Sequence, residues 1–119
     1  MARARYAASD YLALGEMLRD PVLAGDFARV KTSWRNFGSQ IPIDWPAVKG
    51  SLWKAPNGSI GLALVNMHTA TQKAAFTLDR KEIDFGSGPV KLRALYPANL
   101  IADVKLTDPT LTQQIELPA

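Results

Sequence analysis

His68 is the only histidine in this 119-residue chain, and it bounds the chemistry available. A Ser-His-Asp arrangement could be built only around it, and a zinc site with several histidines cannot be built at all. Its neighbours Asn66, Met67 and Thr69 place it in a turn, where a solvated polar side chain is the ordinary reading. The chain has no cysteine, which removes thiolate nucleophiles, thiolate metal sites and disulfides together. Glycoside hydrolysis needs two carboxylates held at a defined separation. Most of the acidic residues fall at expected turns or strand ends. Glu82 and Asp84 share a strand-like parity, but their Arg80-Lys81-Glu82 context reads as a solvated loop. Asp79, Glu82 and Asp84 could offer oxygens to calcium, yet they lack the spacing and glycine of a calcium-binding loop. Gly86-Ser87-Gly88-Pro89 lacks the lysine and the following helix of a phosphate loop, and its proline removes a backbone donor. The expectation is therefore no catalytic residue, no metal site and no cofactor.

Three tryptophans remain as candidates for ligand binding: Trp34, Trp45 and Trp53. An indole face can serve as a platform for the apolar face of a sugar ring, with Tyr96 and Phe37 as further aromatic surface. The competing reading is core or domain interface, because the core of a small β-domain needs large side chains. Trp34 lies on the apolar parity of its segment, which favours that second reading for it.

Composition narrows the partners. The net charge of +3 is spread over fourteen basic and eleven acidic residues along the whole chain. Nucleic-acid faces cluster their basic residues and interleave aromatics with them. Dispersed charge supplies only non-specific attraction, so no nucleic-acid partner is expected. Hydrophobic residues make up 47% and charged residues 21%, ordinary values for a folded domain. No run approaches the ~20 apolar residues of a transmembrane helix, and no apolar segment follows Arg3 and Arg5 as a secretory signal requires. No membrane partner is expected.

These side chains must be positioned by short elements. Ala7, Tyr11, Leu14 and Leu18 recur at helical spacing, so one amphipathic helix is predicted from Ala4 to about Arg19, stopped by Asp20-Pro21. Gly15 inside it, costly in a helix, signals a closely packed neighbour. From Ala28 to Arg35 the period becomes two, with Ala28, Val30, Thr32 and Trp34 opposite Arg29, Lys31, Ser33 and Arg35: a half-buried strand. Gly38, Pro42 and Pro46 punctuate residues 36–46, which read as a loop folded back over Ile41, Ile43 and Trp45. Residues 47–66 read as a hairpin turning at Asn57-Gly58, whose second strand has Ile60, Leu62 and Leu64 on one face. Its other face is lined by the small Gly61 and Ala63, onto which the leading helix can pack. Thr71 to Leu78, Val90 to Tyr96 and Leu111 to Leu117 complete about six strands, with Asp79 to Pro89 as a loop and Pro97-Ala98-Asn99 as a break. Without crossover helices this is a mainly β chain. The fold expected is an antiparallel β-sandwich of about six to eight strands preceded by one N-terminal α-helix. Residues 1–21 form the helix and junction, and 22–119 the sandwich.

The stretch Val48-Lys49-Gly50-Ser51-Leu52-Trp53-Lys54-Ala55-Pro56-Asn57-Gly58, continuing into Ile60-Gly61-Leu62-Ala63-Leu64-Val65-Asn66 and Ala74-Ala75-Phe76-Thr77-Leu78, resembles the C-terminal β-domain of bacterial TIM-barrel proteins of glycoside-hydrolase type. Tyr11-Leu12-Ala13-Leu14-Gly15-Glu16-Met17-Leu18-Arg19-Asp20-Pro21 likewise looks like the last helix of such a barrel leaving for that domain. The resemblance implies a non-catalytic accessory domain that packs on an upstream barrel of the same polypeptide and stabilises it. The catalytic carboxylates would then lie in the barrel, so the chain is not an enzyme by itself. The alternative is a carbohydrate-binding module with glycan as partner, using exposed Trp34, Trp45 or Trp53.

Overall fold

A computed structural model of the chain describes residues 2–84, 90–96, 104–106 and 110–119. It is mainly β, built from antiparallel sheets behind a short helical N-terminus. The helical turns are α1 (Ala2–Ala7) and α2 (Ser9–Leu12). The strands are β1 (Glu16–Met17), β2 (Val22–Ala24), β3 (Arg29–Asn36), β4 (Ser39–Pro46), β5 (Val48–Lys54), β6 (Ile60–Asn66), β7 (Gln72–Asp79), β8 (Val90–Leu92), β9 (Val104–Leu106) and β10 (Thr110–Leu117).

Two three-stranded sheets, ordered β1-β5-β6 and β10-β7-β2, supply the core. Alternation dictates which side chains they bury. On β7 the even positions Gln72, Ala74, Phe76 and Leu78 are buried, as the period of two predicts, and Leu111 and Leu117 of β10 are buried beside them. Leu52 of β5 lies in the same cluster as Phe76, Leu78, Ile83 and Leu111, and Val48 of β5 clusters with Ala74 and Leu117. Each cluster draws side chains from both sheets, which is the two-layer packing expected of a sandwich. Among the described residues Gln72 is the buried polar one: its Oε1 accepts from the Ala28 amide at 3.0 Å, and its Nε2 donates to the Ala70 and Thr71 carbonyls. That satisfied amide ties the chain entering β3 to the core.

The hairpin β5–β6 runs in unbroken register from Val48↔Asn66 to Lys54↔Ile60. Gly58 takes the positive φ of 88° at its turn, while Asn57 uses its Oδ1 to accept from the Ser59 amide. A Cβ on Gly61 would stand 2.5 Å from the Tyr11 ring, so the small-residue face does receive the N-terminal segment. The Tyr11 hydroxyl is also hydrogen-bonded to Ser59 Oγ at 3.0 Å.

Several expectations are corrected. The leading helix does not reach Arg19: it is broken at Ala8 and ends at Leu12. Beyond that point Glu16 and Met17 pair with Lys54 and Trp53, and the Leu18 amide donates to the Leu52 carbonyl at 2.8 Å. A free sheet edge captures the chain where intrinsic helix preference is weak, at Gly15, whose Cβ would stand 2.8 Å from the Lys54 carbonyl. Residues 39–46 are strand β4 rather than loop. The strand expected from Val90 to Tyr96 stops at Leu92, with Leu95 and Tyr96 in a turn. Pairing β8 with β9 adds a ladder that was not anticipated. Gly86-Ser87-Gly88-Pro89 and Pro97-Ala98-Asn99 lie outside the described residues.

Candidate functional site

The aromatic candidates are distributed by the hairpin β3–β4. Its eight paired positions run from Arg29↔Pro46 to Asn36↔Ser39, leaving only Phe37 and Gly38 to turn the chain. Both have positive φ, 47° and 84°, the backbone of a two-residue turn matched to strand twist. In such a turn the flanking pair Asn36↔Ser39 exchanges hydrogen bonds, so 34↔41, 32↔43 and 30↔45 do the same and the pairs between them do not. Pro42 and Pro46 fall in the non-bonded pairs. Their missing N–H groups would have pointed away from β3, so proline costs the ladder nothing there and blunts the outer edge. That is why two prolines failed to make a loop.

Cross-strand partners share a face. One face of the ribbon therefore carries Val30, Thr32 and Trp34 with Trp45, Ile43 and Ile41. The other carries Arg29, Lys31, Ser33 and Arg35 with Pro46, Asp44, Pro42 and Gln40. The expected parity of β3 holds, and of the two readings for Trp34, core or domain interface, the core is not where it lies. Trp34 is 59% exposed and Trp45 50%, Ile41 is exposed beside them, and Phe37 at the tip is fully exposed. β3 and β4 pack chiefly on each other, so no second layer covers the apolar face among the described residues. Successive residues rise about 3.3 Å, so Trp34 and the Val30–Trp45 level stand roughly 13 Å apart along the ribbon. Lys49 Nζ lies 5.5 Å from the centroid of the Trp45 ring, a cation–π contact at the base of the ribbon. On the charged face Arg29 Nε donates to Asp44 Oδ1 at 2.9 Å.

Trp53 is not part of this face. It sits half-buried on the outer side of β5, paired with Met17 and Gly61, and its Nε1 donates to Ser51 Oγ at 2.8 Å. The structure thus brings two of the three tryptophans together and separates the third.

The titratable candidates are occupied locally. His68 Nδ1 accepts from the Ala70 amide at 3.1 Å, closing the turn in which Asn66 Oδ1 accepts from the His68 amide. Asn66 Nδ2 also donates to the carbonyls of Ala70, Leu117 and Pro118, pinning the end of β10. Glu82 is ion-paired with Arg19, and Asp79 Oδ1 accepts from the Lys81 amide. Among the described residues no group of three or more His, Asp or Glu side chains is placed to hold a metal ion. Phe37 is named from the sequence only as further aromatic surface, and Ile41 is not among the contact residues read there. The signal was present in the matched parities of Val30-Thr32-Trp34 and Ile41-Ile43-Trp45 about a Phe-Gly pair.

No protein-family model, no curated protein and no solved structure matches the chain.

Proposed function

We propose that this chain is a non-catalytic accessory β-domain of a carbohydrate-active, glycoside-hydrolase-like polypeptide, packing on an upstream TIM barrel through its N-terminal segment. The observation that supports this is the state of residues 6–17. Neither α1 nor α2 buries a residue, and Tyr6, Leu12, Leu14 and Met17 are exposed. Helical turns of six and four residues are far below the length that holds together in water. Tyr11 and β1 fasten the segment to the sandwich on one side, and its apolar residues remain open to a neighbour on the other. The sequence of Tyr11 to Pro21 resembles a barrel's last helix, and although only Tyr11 and Leu12 of it are helical here, that resemblance is what points to a barrel as the neighbour, with the catalytic carboxylates in it.

The test is hydrogen exchange of residues 2–17 in this chain alone and in the polypeptide its full reading frame encodes. Docking on a barrel slows exchange there in the longer polypeptide, and Leu14→Glu removes the difference. Equal exchange in both, or a reading frame without an upstream barrel, overturns the proposal.

A second reading has its own observation. Trp34 and Trp45 lie exposed on one face of the β3–β4 ribbon, the arrangement a carbohydrate-binding module would use. Soluble glycans should then relieve iodide quenching of these two indoles but not of Trp53. Quenching that no glycan relieves counts against it.

A further inference from the structure

The β3–β4 ribbon presents an apolar face that neither the core nor the N-terminal docking surface uses. We infer that this face pairs with the same face of a second copy of the chain, making a two-fold dimer of ribbons. The inference is independent of the accessory-domain reading, because it uses a different surface.

Four observations favour a second copy. The first is self-complementarity. Stack two ribbons face to face about a two-fold axis through the Thr32↔Ile43 level, perpendicular to the strands, and β3 lies over β3 and β4 over β4. Trp34 then covers the second copy's Val30, and Ile41 covers the second copy's Trp45. Each large side chain meets a smaller one, the alternation that lets facing layers interdigitate. Charge is the second. No ionisable residue of β3 or β4 lies on the apolar face, where the nearest charge is Lys49 of β5 against the Trp45 ring at its base, while Arg29, Lys31, Arg35 and Asp44 all lie on the reverse. A chain of net charge +3 can pair this way without opposing like charges within the ribbon interface. A lipid surface or an acidic partner would instead call for cations on the contacting face.

Area is the third. With about 200 Å² for a whole aromatic side chain, Trp34, Phe37 and Trp45 expose roughly 400 Å² at their observed exposures. Two copies with the intervening Val30, Ile41 and Ile43 therefore bury at most about 1,000 Å², reached only when the tip residue Phe37 is covered as well, which is the lower limit of a specific interface. The dimer is accordingly concentration-dependent rather than permanent. The fourth is Phe37 itself. A bulky residue at φ 47° is strained, and asparagine or glycine would fit that turn better. Phe37 is fully exposed, so the strain is not offset by packing within its own chain. Contact with a second molecule offsets it. Pro42 and Pro46 weaken the outer edge of β4 as a site of strand addition.

Sedimentation velocity over a concentration series of the 119-residue chain tests this. The mass should rise from 13.0 kDa at low concentration to twice that value at high concentration. Trp34→Thr should weaken association about tenfold or more, as loss of an aromatic contact near the interface centre does, and Phe37→Asn, at the tip, should weaken it by a smaller factor, while circular dichroism stays unchanged. Lys31→Glu, on the reverse face, should leave association intact. A chain that stays at 13.0 kDa throughout overturns the inference, as does association that both aromatic variants retain. A monomer retarded by soluble glycan, or carried down with anionic vesicles, overturns it equally.

Discussion

Replacing Phe37 with asparagine should make the isolated chain more stable although it removes a large apolar side chain. Phe37 occupies the left-handed region at φ 47°, where crowding of its Cβ costs an L-residue roughly 1–2 kcal/mol. Its side chain is fully exposed, so the folded monomer loses no buried area when the ring is removed. Asparagine is the preferred non-glycine residue at such a position because its short amide tolerates the conformation. The gain should approach 1 kcal/mol, which for a chain of this size raises Tm by about 3–6 °C. Thermal unfolding followed by circular dichroism, at a dilution where the chain is monomeric, gives the value. Self-association of the same variant should move the other way. A lowered Tm would mean that the Phe37 ring packs within its own chain, and the account of the ribbon as an open face would be wrong.

Other substitutions separate the core from the surface. Phe76→Ala removes the largest side chain of the main cluster and should cost about 3–5 kcal/mol, read as a lowered urea midpoint with unchanged slope. Gln72→Leu keeps the volume but leaves the Ala28 amide without its acceptor, so a loss of about 1–3 kcal/mol is expected by the same measurement. Gly61→Val places a branched side chain where the Tyr11 ring now lies and should release the N-terminal segment. Faster hydrogen exchange at residues 11–17, with the urea midpoint nearly unchanged, is the expected result; unaltered exchange would show that Tyr11 does not hold the segment.

Strands that the core buries on one side were legible in the sequence. Gln72, Ala74, Phe76 and Leu78 alternate because β7 lies between β10 and β2 with one face inward, and Leu111 and Leu117 follow the same rule. Elements decided by competition between distant segments were not. The stripe Ala7, Tyr11, Leu14 and Leu18 is a sound helical pattern, but the edge of β5 lies unpaired where it passes and takes residues 16–17 as a strand. Nothing local announces that edge. Pro42 and Pro46 read as breakers because proline cannot donate to a ladder, and only the register with Ser33 and Arg29 reveals that no donor was required of them. The Trp34 case is of a third kind. Parity assigns a side chain to a face, and it cannot tell whether another layer covers that face.

Trp34 and Trp45 belong to an open surface and not the core, while Trp53 is tied down on β5. Iodide quenching of three single-tryptophan variants, each with the other two indoles replaced by phenylalanine and measured at monomeric dilution, tests it most directly. Strong quenching of Trp34 and Trp45 and weaker quenching of Trp53 are expected. Shielding of Trp34 and Trp45 equal to that of Trp53 would contradict it.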